Sequence, residues 1–240
     1  MSGEVEARSA RGPVPEVGDS PGTMLLPTVL SLIAGSTDAI GFMGLGGLFT
    51  AHVTGNLVVL AAHVVAGEKA SVATMLSVPV FILVLGLTRL LAGGLERARV
   101  ASLRPVLLVQ FLLLSGFLAL CIKAGPRVDP DTAIAIVAAM LGVSAMALQN
   151  ALVQVSLKGS PTTAVITTNI THLIMDLGEV VLGHDPIATA RARKRAKHTW
   201  PAIAGFAIGC GLGAACEAAA GLWSLALPTG LALIALFVPP

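Results

Sequence analysis

Tyrosine is absent from the 240 residues, tryptophan occurs only as Trp200 and Trp223, and charged residues make up only 12% of the chain. A soluble domain of this length carries about a quarter of its residues as charges, so a water-exposed globule is excluded. With so few large amphipathic rings, aromatic anchoring at a bilayer surface is sparse. Cysteine is equally scarce. Cys121, Cys210 and Cys216 are odd in number, lie in apolar runs and have no metal-type spacing, which argues against a disulfide framework and for small core residues.

Apolar residues take the place of the missing charge. They make up 55% of the chain, and the mean hydropathy is +0.87. They fall in runs of the length a helix needs to cross about 30 Å of hydrocarbon. The fold class expected is all-α, a polytopic helical membrane protein. Residues 1–23 mix Glu4, Glu6, Glu16 and Asp19 with Arg8, Arg11 and three prolines. No apolar stretch precedes a cleavage site, so this segment reads as a disordered cytoplasmic tail rather than a signal peptide. Residues 24–240 read as a single transmembrane domain.

Eight apolar segments can be marked, at about 24–45, 50–66, 72–94, 105–123, 132–156, 162–183, 201–220 and 222–238. Segments 50–66 and 162–183 differ from the others. Each opens on polar, β-branched residues after a Gly- or Pro-containing break, Gly44-Leu45-Gly46-Gly47 or Lys158-Gly159-Ser160-Pro161, where an unbroken helix is disfavoured. The linkers richest in basic residues are 95–104 and 184–199. The latter could suggest nucleic acid, but a cytoplasmic loop obeying the positive-inside rule explains it without a nucleic-acid partner.

The chain also reads as two internal repeats, about 24–123 and 132–238. Asp38-Ala39-Ile40 precedes Thr54-Gly55-Asn56, and Asn150-Ala151-Leu152 precedes Thr167-Thr168-Asn169, with 18 positions from Asp38 to Asn56 and 19 from Asn150 to Asn169. If all eight segments crossed the membrane, the two basic linkers would face opposite sides. If 50–66 and 162–183 are broken or re-entrant, six crossings remain and both linkers face the cytoplasm. The halves are then inverted, a recurring plan of secondary transporters. Six crossings plus two re-entrant segments is the expectation, and eight crossings the alternative.

Ionisable groups in apolar segments are expensive and usually face protein or water. Asp38 is the deepest acid of the first segment, among Gly35, Ser36, Thr37 and Gly41. It can bind a proton or cation, or it can be a helix-packing hydrogen bond. Thr54, Gly55 and Asn56, with Thr167 and Asn169, lie where the odd segments begin. Thr and Asn are natural helix caps, and helix starts favour an anionic group. Asn150 is taken as the partner of Asp38. His52 is four residues from Asn56, His172 is four from Asp176, and Glu179 lies one turn beyond. These His–carboxylate groupings could relay protons, or they could be polar stripes facing other helices. No Cys joins them and no metal motif is present, so neither a metal nor a cofactor is expected.

The runs Gly35-Ser36-Thr37-Asp38-Ala39-Ile40-Gly41-Phe42 and Phe49-Thr50-Ala51-His52-Val53-Thr54-Gly55-Asn56 closely resemble the YoaK-like bacterial membrane proteins (domain of unknown function 1275). Ala147-Leu148-Gln149-Asn150-Ala151 and Thr167-Thr168-Asn169-Ile170-Thr171 extend the resemblance to the second half, although the family typically has Gly where this chain has Thr168. The resemblance implies a multi-pass protein of the bacterial inner (plasma) membrane and supplies no catalytic residue. The function expected is a secondary transporter or permease of a small solute, with its site between the repeats at the bilayer midplane. The alternative is a non-transporting membrane scaffold or assembly factor. An intramembrane enzyme using His172, Asp176 and Glu179 ranks last, because no nucleophile is paired with a base. The partners implied are the lipid bilayer and an unidentified solute, and a homo-oligomer stays open.

Overall fold

The computed structural model describes residues 22–99, 101–125, 129–157, 160–163 and 166–239. The expected disordered tail lies outside them, except that a helix already begins at Gly22. The elements are α1 (Gly22–Gly44), α2 (Val53–Ala66), α3 (Val72–Arg97), α4 (Leu103–Ala124), α5 (Ala133–Ser156), α6 (Ile166–Leu182) and α7 (Pro186–Ala220). A short 3-10 turn (Gly221–Leu225) then leads into α8 (Ala226–Ala235). No strand occurs among the described residues. Five helical stretches are long and apolar enough to cross a membrane. At 1.5 Å per residue, the 14 residues of α2 and the 17 of α6 fall short of the hydrocarbon thickness.

The basic stretch 184–199 differs from the expected loop, because residues from Pro186 onward are helical and continue through Pro201 to Ala220. Three local causes act together. The Asp185 carboxylate accepts from the Ile187 N–H at 2.9 Å, which caps the start. Pro186 occupies the first turn, where its missing N–H is no loss. Ala, Arg and Lys then dominate 188–197, all strong helix formers. Ala192, Ala196 and Thr199 form the buried stripe of this extension, and Arg191, Arg193, Lys194, Arg195 and Lys197 are exposed.

Side-chain contacts set the helix directions. Gly205, Gly209 and Gly213 of α7 sit against Thr28, Leu32 and Ser36 of α1 in the same order, so these helices run parallel. Their backbones touch. A β-carbon on Gly213 would lie 2.7 Å from the Ser36 carbonyl oxygen, and one on Gly209 would overlap that of Leu32. Small residues are needed here because lipid provides little hydrophobic drive for helix association, so close packing holds the pair. At the far end, Gly44 abuts Glu217 and Leu222. The Arg104 guanidinium donates to the Leu236 carbonyl at 2.6 Å, and the Thr229 hydroxyl reaches the Leu114 carbonyl at 3.4 Å. Thus α8 is antiparallel to α4, and the C-terminal ends of α1, α4 and α7 lie together. The Ser102 and Ser156 hydroxyls share a hydrogen bond of 2.7 Å, and Gly142 packs on Phe117. These two contacts make α5 antiparallel to α4. Further neighbours are α3 with α5, α6 with α7, α2 with α3, α1 with α8, and α1 with α5.

Polarity is arranged for lipid. In α6, Asn169 and Asp176 are the buried residues, whereas Ile174, Met175, Val181 and Leu182 are exposed. A water-soluble helix would bury the second set. Here Asn169 and Asp176 find protein partners and these apolar side chains are left for hydrocarbon, although Thr167, Thr168, Thr171 and His172 are exposed as well.

Candidate functional site

After α1 the chain turns on Gly46 and Gly47, whose φ values of 68° and 83° suit a residue without a β-carbon. It then runs back along the last turns of α1 before α2 begins. The Asp38 carboxylate, 3% exposed, holds this return. Its Oδ1 accepts from the Thr50 N–H at 2.7 Å, the Ala51 N–H at 2.6 Å and the Thr50 hydroxyl at 3.0 Å. Its Oδ2 lies 2.5 Å from Nδ1 of His52. With Asp38 as the carboxylate, Nδ1 is the donor of this bond. The His52 side chain is 33% exposed and meets the edge of Phe206, with ring centroids 5.2 Å apart.

Asn56, fully buried, fixes the same loop from the other side. Its Oδ1 accepts from the Phe49 N–H at 2.9 Å, and its Nδ2 donates to the Phe49 carbonyl at 2.7 Å and to the Ser77 hydroxyl at 2.9 Å. The amide pairs with Phe49 as a neighbouring strand would, satisfying a backbone that no helix or sheet satisfies. Ser77 in turn donates to the Thr74 carbonyl at 2.7 Å. Phe49 also packs on Phe42, with centroids 4.8 Å apart.

Asn169 does the same before α6. Its Nδ2 donates to the Thr162 carbonyl at 2.6 Å, and its Oδ1 accepts from the Thr162 hydroxyl at 3.2 Å. The residue that ties this loop to the preceding helix is Gln149. Its Nε2 donates to Thr163 Oγ1 and to the Leu30 carbonyl, both at 2.9 Å, and its Oε1 accepts from Gln110 Nε2 at 2.6 Å. Asn150, expected in this role, is half-buried and makes no side-chain hydrogen bond among the described residues. On a helix the two adjacent side chains point about 100° apart, and only the first faces the loop.

Several expected residues stand elsewhere. Thr54 and Thr167 are exposed. Thr54 and Asn56 do not cap α2, whose N-cap position is His52, without a side-chain cap bond. Gly55 lies against the Phe49 ring, where a β-carbon would be 2.9 Å from Cδ2. His52 precedes α2 and turns to Asp38 rather than sharing a face with Asn56. His172 is exposed and Glu179 half-buried. Asp176 pairs instead with Arg195, whose Nε and Nη2 donate to Oδ1 at 2.9 and 2.5 Å. Asp38 accepts from the Thr50 and Ala51 N–H groups, which precede α2, and not from the N–H groups of the first turn of that helix. The Asp38 and Asn169 clusters are also separate. The second reaches α1 at Leu30, eight positions before Asp38, or about 12 Å along the helix.

Thr50, Ser77, Gln110, Thr163 and Arg195 were not legible as site residues. Gln110 had a visible signal, since it is an amide in the otherwise apolar run 105–123. Among the described residues no three His, Cys, Asp or Glu side chains converge to hold a metal.

The family model for DUF1275, a protein of unknown function, matches residues 26–238. The chain is a DUF1275 protein. Both polar clusters of this DUF1275 chain lie inside the matched residues. No curated protein and no solved structure matches it.

Proposed function

We propose that this DUF1275 protein is a secondary transporter of a small solute in the bacterial inner membrane, built from two inverted repeats with six crossings. In this reading α1, α3, α4, α5, α7 and the 221–238 stretch cross. The units holding α2 and α6 each enter and leave on a single side, the two on opposite sides. The parallel course of α1 and α4 supports this count, because crossings one and three are parallel whereas crossings one and four would not be. The packing pattern supports the repeat. Exchanging α1 with α5, α2 with α6, α3 with α7 and α4 with α8 turns the α1–α7 contact into α5–α3, α2–α3 into α6–α7, and α1–α8 into α5–α4. The helix ends carrying Arg104, Arg191 and Arg193 then share one side, the cytoplasmic one by the positive-inside rule.

The observation that carries the transport reading is the Asp38–His52 pair. It is a buried acid bonded to a part-exposed imidazole where the chain turns back along α1, and in this reading it is a proton-binding centre on the solute path. Asn56 and Asn169 act as positioning residues that shape the two loops. The test is reconstitution into vesicles containing a pH-sensitive dye, challenged with small organic anions, amino acids and nucleobases. Solute-driven pH changes abolished by Asp38→Asn are expected. Silence across the panel would favour a membrane scaffold, a reading supported by the full internal hydrogen bonding of Asp38 and Asn56.

A further inference from the structure

A cleft of about 400 Å³ opens between α6 and the charged start of α7, lined by Met175, Asp176, Glu179, Ala188, Arg191 and Arg195. Arg195 is spent on Asp176. Arg191 and Glu179 have no side-chain hydrogen bond or ion pair among the described residues, so the cleft presents one unpaired guanidinium and one unpaired carboxylate. Its position is defined by the neighbouring chain. The apolar part of α7 begins at Trp200, itself 54% exposed, and Arg191 and Arg195 lie one to three turns before it. Beside the cleft, Met175 and Leu182 are 70% and 74% exposed on α6, which turns Asp176 inward. The cleft therefore sits where bilayer hydrocarbon gives way to headgroups, with an apolar wall on one side.

We infer that this cleft binds the headgroup of a phosphatidylethanolamine molecule, the phosphodiester on Arg191 and the primary ammonium on Glu179. Charge complementarity decides the occupant. Arg presents a fork of donors to phosphate. Glu179 accepts from an ammonium that retains its N–H groups, which a choline headgroup lacks. A singly anionic headgroup would leave Glu179 unpaired and would meet the two carboxylates of the cleft. The acyl chains would lie on the apolar face of α6. The site is independent of whether the protein transports a solute.

The test uses the full chain in detergent, with thermal unfolding followed as phosphatidylethanolamine, phosphatidylcholine, phosphatidylglycerol or soluble phosphoethanolamine is added. Phosphatidylethanolamine is expected to raise the unfolding temperature most. Its half-saturating concentration should rise about tenfold in Arg191→Gln and in Glu179→Gln, the loss of one charge-assisted contact. Arg193→Gln, outside the cleft, should leave it unchanged. Three outcomes would overturn the inference. They are equal stabilisation by all three lipids, a larger effect of phosphatidylglycerol, or a phosphatidylethanolamine effect that survives both cleft substitutions. Equal potency of soluble phosphoethanolamine would reassign the cleft to a free solute and overturn the lipid assignment.

Discussion

Asn56 and Asn169 each hold the carbonyl oxygen of the residue seven positions earlier, Phe49 and Thr162, through the side-chain amide nitrogen at 2.7 and 2.6 Å. In both places the chain has left one helix and not yet begun the next. An amide side chain suits this gap because it carries a donor and an acceptor side by side, as a peptide unit does.

Asn56→Ala removes three hydrogen bonds and leaves the half-buried Phe49 peptide unpaired, a loss of about 2–4 kcal/mol. Asn169→Ala removes two and should cost less. Denaturation of both variants in the same detergent checks the order. Equal, negligible losses would show that the loops do not depend on these clamps.

Asp38→Ala orphans two N–H groups, the Thr50 hydroxyl and His52 together, with an expected cost of about 3 kcal/mol or more. Asp38→Asn keeps an oxygen acceptor for Thr50 and Ala51 but sets an NH2 donor against His52 Nδ1, which must then switch tautomer, so its stability should fall by about 1–2 kcal/mol. A folded Asp38→Asn variant that still couples solute to pH change would remove the proton-binding role from this pair.

Gly209→Leu would drive a side chain into the α1 backbone at Leu32. Helix separation should cost several kcal/mol, about 3 at the least, and lower the folded yield. Gly211 has nothing within 4 Å of its would-be β-carbon, so Gly211→Ala should be neutral or stabilise by up to about 1 kcal/mol. Thermal unfolding of the pair isolates close packing from helix propensity.

Lys69→Cys and Arg193→Cys, each in a background without the native cysteines, should react with a membrane-impermeant thiol reagent from opposite faces. Lys69→Cys is expected to label from outside the cell, and Arg193→Cys only after lysis. Labelling of both from one face would require α2 to complete a crossing and would restore the eight-crossing count.

Much of the architecture was readable in the order of residues. Lengths of apolar sequence mark seven of the helices within a few positions, and the Gly and Pro breaks single out α2 and α6, both too short to span. Asp38, Asn56 and Asn169 stood out because strongly polar side chains in apolar runs need partners. The identity of those partners was not readable. Gln149 and Asn150 are chemically similar neighbours, and only the angle between successive side chains on α5 decides which one meets Thr163. Arg195 looked like part of a solvated loop until the helix continued through it and faced it toward Asp176.

By itself, then, the sequence determined that the chain is a bundle of apolar helices interrupted by two polar loops, because the length and burial cost of each segment depend on its own residues. The tertiary structure alone decided that Asp38 serves Thr50, Ala51 and His52, that Asn56 and Asn169 serve backbone, and that α1 lies along the glycines of α7. Each of these is a pairing between groups whose approach is set by how whole helices cross, and hydrogen bonds act only over about 3 Å.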